Sequence, residues 1–153
     1  MDKMGILDGL KVIVNPPKAS GQKNETSTSP SLKKVLIVED EKVLADALQI
    51  RFQNEGFEVF IAGNGEEALQ MAVTEKPDVL LLDLVLPIMD GKTMLRQLRQ
   101  MPQFANLPVI VLTNAGGLDN IKEMKTYYRV SDFLIKASVS TDEIVLKVKT
   151  LLK

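Results

Sequence analysis

Hydrophobic residues occur in this chain mainly as short runs, separated by longer segments in which they recur every three or four positions. The short runs lie at 35–38, 57–62, 79–82, 108–112 and 132–135. Runs of this length predict strands, and those that are apolar throughout are typical of strands buried on both faces of a parallel sheet. The longer periodic segments predict amphipathic helices.

Glycine and capping residues mark where the predicted helices begin and end. A helix over 41–55 stops at Gly56, the residue best suited to a left-handed turn. Residues 64–67 and 140–143 have the form of capping boxes that open two further helices. Two more helices are predicted over 91–101 and 118–128. Five strands alternating with five helices predict a doubly wound parallel α/β sheet.

The helical spacing also predicts which side chains face the core. In the helix at 91–101 we interpret this stripe as core packing and not as a cofactor site. The predicted inward residues are Leu44, Ala47, Leu48 and Phe52; Ala68, Leu69 and Ala72; Met94, Leu95, Leu98 and Met101; and Ile144, Val145, Val148, Leu151 and Leu152.

Acidic residues follow two of the predicted strands. Asp83 ends the central run, and Glu39 and Asp40 end the first. Ligand sites of open α/β sheets lie at such carboxyl ends, although an Asp there can also simply cap its own loop. If the two strands are neighbours, each pair of carboxylates at about 5 Å repels by about 3 kcal/mol at an effective dielectric of 20. A hard divalent cation relieves this repulsion, and such ligands suit Mg²⁺.

Two further strand ends carry a hydroxyl and an ammonium, those of Thr113 and Lys136. Taken singly, Thr113 is a common strand terminus and Lys136 a solvated charge. Together with the acids, in this order, they predict an aspartyl-phosphate site. In such a site Asp83 attacks phosphorus, the metal and Lys136 neutralise the phosphoryl oxygens, and Thr113 donates a hydrogen bond to one of them.

These residues resemble the receiver domain of two-component response regulators, over about 33–153. The matching features are Glu39-Asp40, Asp83 with the sequence Leu-Pro-Ile-Met-Asp-Gly at 86–91, Thr113 and Lys136. The resemblance implies a flavodoxin-like receiver fold with a five-stranded sheet in the order 2-1-3-4-5. It also implies that Asp83 accepts a phosphoryl group from a sensor histidine kinase or a phosphotransfer protein.

The resemblance implies a metal site as well. Asp40 and Asp83 would bind Mg²⁺ directly, Glu39 through water, and Val85 through its backbone carbonyl. The protein would catalyse only its own phosphotransfer and dephosphorylation, and would not be an enzyme acting on other substrates.

A switch follows from the same resemblance. Phe133 matches the aromatic residue that turns inward when the site is phosphorylated, into space vacated by Thr113. The surface formed by the helix at 118–128, the strand of Phe133 and the last helix would then change and control a downstream protein.

Two residues depart from the family pattern, and two rival functions stay open. Ala137 stands where the family usually has Pro, and Asn114 where it prefers a small residue, so both bear on phosphorylation kinetics.

One rival function is a docking module on the same fold that is never phosphorylated. The other is a phosphohydrolase with an Asp nucleophile, but that class places a second Asp where this chain has Val85.

Composition excludes several classes. With 19 basic and 20 acidic residues the net charge is -1, so neither nucleic acid nor a membrane is expected as a partner. The chain has no Cys and no His, which excludes disulfides, thiolate or imidazole metal sites and Ser/His or Cys/His catalysis. No signal-peptide core and no apolar run of 18 residues occurs, so a cytoplasmic protein is expected.

Domain organisation follows from the composition along the chain. Residues 1–31 read as an N-terminal extension whose second half, rich in Pro, Gly, Ser and Thr, is a flexible linker. Residues 32–153 would be the receiver domain. Because the last predicted helix ends at Lys153, we expect a stand-alone regulator that passes its signal to a partner protein, with homodimer formation a further expectation.

Overall fold

A computed structural model describes residues 31–114 and 121–153 of this chain. The residues from Leu32 to Lys153 form one compact unit. The predicted N-terminal extension, apart from Ser31, and the start of the helix predicted at 118 lie outside the described residues. The division of the chain after residue 31 therefore stays a prediction.

Five parallel strands form a single sheet in the order β2-β1-β3-β4-β5. This is the predicted doubly wound, flavodoxin-like order. The strands are β1 (Lys34–Val38), β2 (Glu58–Ala62), β3 (Val79–Leu82), β4 (Val109–Thr113) and β5 (Asp132–Ile135).

Helices follow the strands in alternation. They are α1 (Lys42–Asn54), α2 (Gly65–Glu75), α3 (Gly91–Arg99), α4 (Ile121–Tyr127) and α5 (Thr141–Leu151), with 3₁₀ turns at Pro102–Phe104 and Lys136–Ser138. None of the helices in the described part of the chain has the length and apolar character needed to cross a bilayer.

The core consists of two layers, one on each face of the sheet. Alternate strand residues contribute to each, so that Val111 faces one layer and Ile110 and Leu112 face the other. Buried side chains of α2, α3 and α4 cover the first face, and those of α1 and α5 cover the second. Because both faces are covered, the central strands are apolar throughout, which is why they read as uninterrupted hydrophobic runs.

The inward face of α1 differs from the prediction at one position. Ala47 is exposed, and Ala45 is buried together with Leu48 and Phe52. Two residues that are two positions apart on a helix cannot both face the protein core. Because both are alanine, the sequence alone does not show which of them is buried.

The two predicted capping boxes also differ. Ser140 and Glu143 form both reciprocal hydrogen bonds of a capping box at the start of α5. At α2, Asn64 Oδ1 accepts a hydrogen bond from Glu67 N at 2.8 Å, but Glu67 Oε1 accepts from the N–H of Gly63 at 2.7 Å. The Glu67 side chain thus closes the turn one residue earlier than a capping box requires.

Candidate acidic site at the carboxyl edge of the sheet

Three carboxylates meet where β1 and β3 end. The two strands are paired with Val38 opposite Leu82, and the N–H of Asp83 donates to the carbonyl of Val38 at 3.0 Å. The neighbouring strand ends therefore place one carboxylate oxygen of each of Glu39, Asp40 and Asp83 within 4.8 Å of the others. Glu39 and Asp83 are buried, whereas Asp40 is exposed.

Lys136 lies between the two buried carboxylates. Its ammonium nitrogen is 2.8 Å from Asp83 Oδ2 and 2.9 Å from Glu39 Oε1. Lys136 directly follows β5, so the parallel arrangement of the strands brings its ammonium to acids that are 53 and 97 residues away in sequence. The Glu41 carboxylate is 3.9 Å from the same nitrogen.

Burial and charge act in opposite directions on these groups. Burial raises the pKa of Glu39, and the hydrogen bond from Lys136 only partly offsets this. For Lys136, burial alone would lower the pKa, but the hydrogen bonds to Asp83 and Glu39 outweigh it and the pKa is raised. The ammonium is therefore held in its charged form by the acids around it.

Thr113 and Phe133 lie on the same face of the sheet, one at the end of β4 and the other within β5. Thr113 is buried and pairs in register with Ile135, the residue before Lys136. Phe133 pairs with Val111, is half-buried, and packs against the core layer that contains Met94 and Met124. The structure thus places both residues of the predicted switch next to the strand end that carries Lys136.

The loop between Asp83 and α3 is shaped by backbone contacts. The N–H of Gly91 donates to the carbonyl of Leu84 at 2.9 Å, and a Cβ on Gly91 would collide with the carbonyl oxygen of Asp83. The N–H of Val85 donates to Asp83 Oδ1 at 3.2 Å, and the Val85 side chain is exposed. Only glycine at position 91 allows this close return of the chain.

The tip of this loop is strained. Ile88 has a φ of 68°, and the N–H of Met89 donates to the carbonyl of Pro87 at 2.7 Å. These two features define a γ-turn centred on a β-branched residue, which costs about 1–3 kcal/mol. Strain of this size persists only where surrounding contacts hold the loop.

The donor set fits a divalent cation. Three carboxylates and one ammonium leave two uncompensated negative charges, and two of the carboxylates are buried, where uncompensated charge is costly. All the donors are hard oxygens, the ligand type that Mg²⁺ prefers. Glu39, Asp40 and Asp83 would hold the ion, with the backbone carbonyl of Val85 as the further predicted ligand.

A shallow cleft of about 400 Å³ opens beside the site. The exposed Asn114 and Ala137 line it together with Glu41 and Lys136. These are the two positions that depart from the family pattern, so both departures lie at the rim of the site. No cis peptide bond occurs among the residues that the structure describes, and Lys136–Ser138 forms a 3₁₀ turn.

The family model of the response regulator receiver domain matches residues 35–149. The chain belongs to this family. Among curated proteins, the alkaline phosphatase synthesis transcriptional regulatory protein PhoP of Bacillus subtilis is 37% identical over 121 residues, which are 79% of this chain and 49% of PhoP. The chain thus spans about half the length of that relative.

Solved structures of similar proteins have the same fold as this receiver domain. The receiver domain of the Francisella response regulator 1452 is 32% identical with a TM-score of 0.69, covering 78% of this chain and 96% of that one. The chemotaxis protein CheY4 of Vibrio cholerae is 25% identical with a TM-score of 0.73, covering 80% and 100%. Receiver domains are signalling domains that bind Mg²⁺ at an acidic pocket and interact with histidine kinases or phosphotransfer proteins.

Sequence reasoning missed an arginine clamp at the end of α3. Arg99 donates to the carbonyl of Tyr128 at 2.8 Å, to that of Phe104 at 2.7 Å and to that of Arg129 at 3.2 Å. Arg129 in turn donates twice to the carbonyl of Ala105. The clamp ties the end of α3 to the segment between α4 and β5. No sequence pattern marks a guanidinium that binds backbone carbonyls.

Proposed function

We propose that this receiver domain is a phosphorylation-dependent signalling switch in which Asp83 is the phosphoryl acceptor. The observation that carries the proposal is the contact of the buried Asp83 carboxylate with Lys136, inside a cluster that also contains Glu39 and Asp40. A buried carboxylate in a cluster of three carboxylates and only one ammonium is arranged for chemistry, because a structural ion pair would be neutral.

The proposed reaction is transfer of a phosphoryl group from a phosphohistidine of a sensor kinase or phosphotransfer protein. A carboxylate oxygen of Asp83 attacks phosphorus as the phosphorus–nitrogen bond of the donor breaks, and the electron pair of that bond stays on the imidazole nitrogen. When bound, Mg²⁺ supplies positive charge to the phosphoryl oxygens. Lys136 is already 2.8 Å from Asp83 Oδ2 and neutralises one of the new oxygens.

The proposed output is a change of the surface formed by α4, β5 and α5. The Thr113 hydroxyl donates to a phosphoryl oxygen and moves toward Asp83, and Phe133, on the same face of the sheet, turns into the space beside it. A downstream protein that prefers one arrangement of this surface reads the phosphorylation state.

The test is phosphorylation by acetyl phosphate with Mg²⁺, followed by intact-mass measurement. The wild type should gain the mass of one phosphoryl group, and Asp83→Asn should gain none. The matched control is Asp90→Asn. Asp90 is exposed and its Oδ1 only caps α3, accepting from Thr93 N at 2.8 Å, so this variant should be labelled like the wild type.

Two further measurements on the wild type, amide spectra with and without Mg²⁺ and hydrolysis of phosphoesters, separate the two rival functions. Absence of both labelling and Mg²⁺-dependent amide shifts in the wild type would support a docking module and contradict the proposal. Multiple-turnover hydrolysis of diverse phosphoesters would support a phosphohydrolase instead.

A further inference from the structure

Gly65, at the start of α2, has a backbone conformation that residues other than glycine also adopt. It is the first residue of the helix, follows the N-cap Asn64, and has a φ outside the left-handed region. However, the surroundings leave no space for a side chain at this position. A Cβ built on Gly65 would collide with the backbone carbonyl of Met89, at the tip of the loop that follows Asp83. The glycine is therefore required by a close approach between α2 and that loop.

A hydrogen bond accompanies the approach. The N–H of Gly65 donates to the carbonyl oxygen of Met89 at 2.9 Å. The first N–H groups of a helix have no acceptor within the helix, so this bond satisfies a group that would otherwise need another partner. The start of α2 is itself fixed by Asn64 and Glu67, whose side chains bond the surrounding backbone. It can therefore serve as a rigid support for the loop.

The supported residue, Met89, lies four positions after the predicted metal ligand Val85 in the chain. Within the loop, Leu84 is fixed by its hydrogen bond from Gly91, and Met89 is fixed by Gly65. The γ-turn at Ile88 joins Met89 to Pro87. The peptide that carries the Val85 carbonyl thus lies between two anchored points, and a shift of Met89 must be absorbed by the few residues between them.

We propose that Gly65 is a positioning residue for the metal-binding loop: its contact with Met89 sets the place of the Val85 carbonyl beside Asp83. This rests on the proposed function, since it concerns the loop that would hold Mg²⁺ for phosphoryl transfer. Gly65 touches neither the metal nor the reacting atoms. Its effect is transmitted through the backbone of the loop.

The test compares Mg²⁺ affinities measured by amide chemical-shift titration. Gly65→Ala should weaken Mg²⁺ binding roughly tenfold, the lower end of the effect of residues that orient metal ligands. The matched control is Gly63→Ala, because a Cβ there meets only Glu67 Oε1, at 3.8 Å. A second control is Ala72→Gly, which destabilises the buried face of α2 away from the loop. Both controls should keep the wild-type affinity within about twofold.

Two outcomes would overturn the proposal. One is a Gly65→Ala protein that binds Mg²⁺ like the wild type. The other is an equal loss of affinity in Ala72→Gly, which would show that any damage to α2 has the same effect.

A measurement on the wild type keeps the test decisive if Gly65→Ala does not fold. Coupling between two sites is reciprocal, so Mg²⁺ should slow hydrogen exchange of the Gly65 amide by the same roughly tenfold factor. An unchanged exchange rate at saturating Mg²⁺ would contradict the proposal. A wild type that binds Mg²⁺ without accepting phosphate would contradict the proposed function alone, whereas one that binds no Mg²⁺ would overturn both.

Discussion

The ammonium nitrogen of Lys136 lies 2.8 Å from Asp83 Oδ2, and the same nitrogen lies 2.9 Å from Glu39 Oε1. One lysine thus holds two buried carboxylates together at the edge of the sheet. The contact joins the end of β5 to the ends of β1 and β3, so it contributes to the stability of the domain as well as to the arrangement of the site.

Removing this ammonium should destabilise the metal-free protein. Lys136→Met leaves the carboxylates of Glu39 and Asp83 buried without their partner, and the free energy of unfolding should fall by about 3 kcal/mol. Added Mg²⁺ should recover more stability in the variant than in the wild type, because it compensates the same charges. Urea denaturation with and without Mg²⁺ measures both effects.

Lys147→Met is the control for this prediction. Lys147 also pairs with an aspartate, Asp132, at 2.9 Å, but the lysine is half-exposed and its partner begins β5, at the opposite end of the strand from Lys136. Its loss should be much smaller and independent of Mg²⁺. Equal losses of unfolding free energy in the two variants would show that Lys136 contributes no more than a surface ion pair does.

The arginine clamp should matter more for stability than its position on the surface indicates. Arg99→Lys loses the planar fork that reaches three carbonyls, so the free energy of unfolding should fall by about 1.5–3 kcal/mol. Burial, and then the charge of Arg129, lower the pKa of Arg99 to about 10, which leaves it protonated at neutral pH.

Chemical denaturation of Arg99→Lys beside Arg96→Lys tests this prediction. Arg96 lies on the same helix and is exposed, so its replacement should change stability by less than about 0.5 kcal/mol. A stability change of similar size in both variants would contradict the role of the clamp.

Glu55 should link stability to acid pH. Its carboxylate is 2.7 Å from Lys149 Nζ and 2.6 Å from Arg51 Nη1, and these contacts, that with Lys149 first, lower its pKa to about 2. In the unfolded chain Glu55 has its ordinary pKa of about 4.5. The unfolded state therefore binds more protons between these two values, and the stabilisation is present above pH 4.5 and lost as the pH falls toward 2.

Glu55→Gln should accordingly be less stable than the wild type at neutral pH, with the difference closing as the pH approaches 2. Thermal denaturation across the acid range measures this. The exposed Glu58→Gln serves as the control and should follow the wild type throughout. A difference between wild type and Glu55→Gln that stays constant down to the lowest pH would contradict the prediction.

Thr113 should control the response of Phe133. Beryllofluoride with Mg²⁺ mimics the phosphoryl group, and should shift the signal of fluorine-labelled Phe133 in the wild type. Thr113→Ala loses one hydrogen bond to that group, worth about 1 kcal/mol, which reduces the ratio of responding to resting protein about fivefold. The exposed Thr150→Ala should respond like the wild type. A full Phe133 shift in Thr113→Ala would exclude the hydroxyl from the switch.

The fold was largely predictable because its signals are local. Apolar runs such as 79–82 identify strands that are covered on both faces, and Gly56, with a φ of 91°, ends the first helical segment as expected. The choice between Ala45 and Ala47 was not predictable, since two small apolar residues look alike until a sheet packs against one of them.

The sequence by itself determined which chemical groups stand at the ends of which strands: acids after β1 and β3, a hydroxyl at the end of β4 and an ammonium after β5. It determined them because strand runs and the residues that follow are contiguous in the chain. Only the tertiary structure decided that Lys136 bridges Glu39 and Asp83, that Arg99 binds carbonyls beyond α4, and that Gly65 supports Met89. These contacts join residues far apart in sequence, and three of the acceptors are backbone atoms, which every residue possesses and no sequence pattern distinguishes.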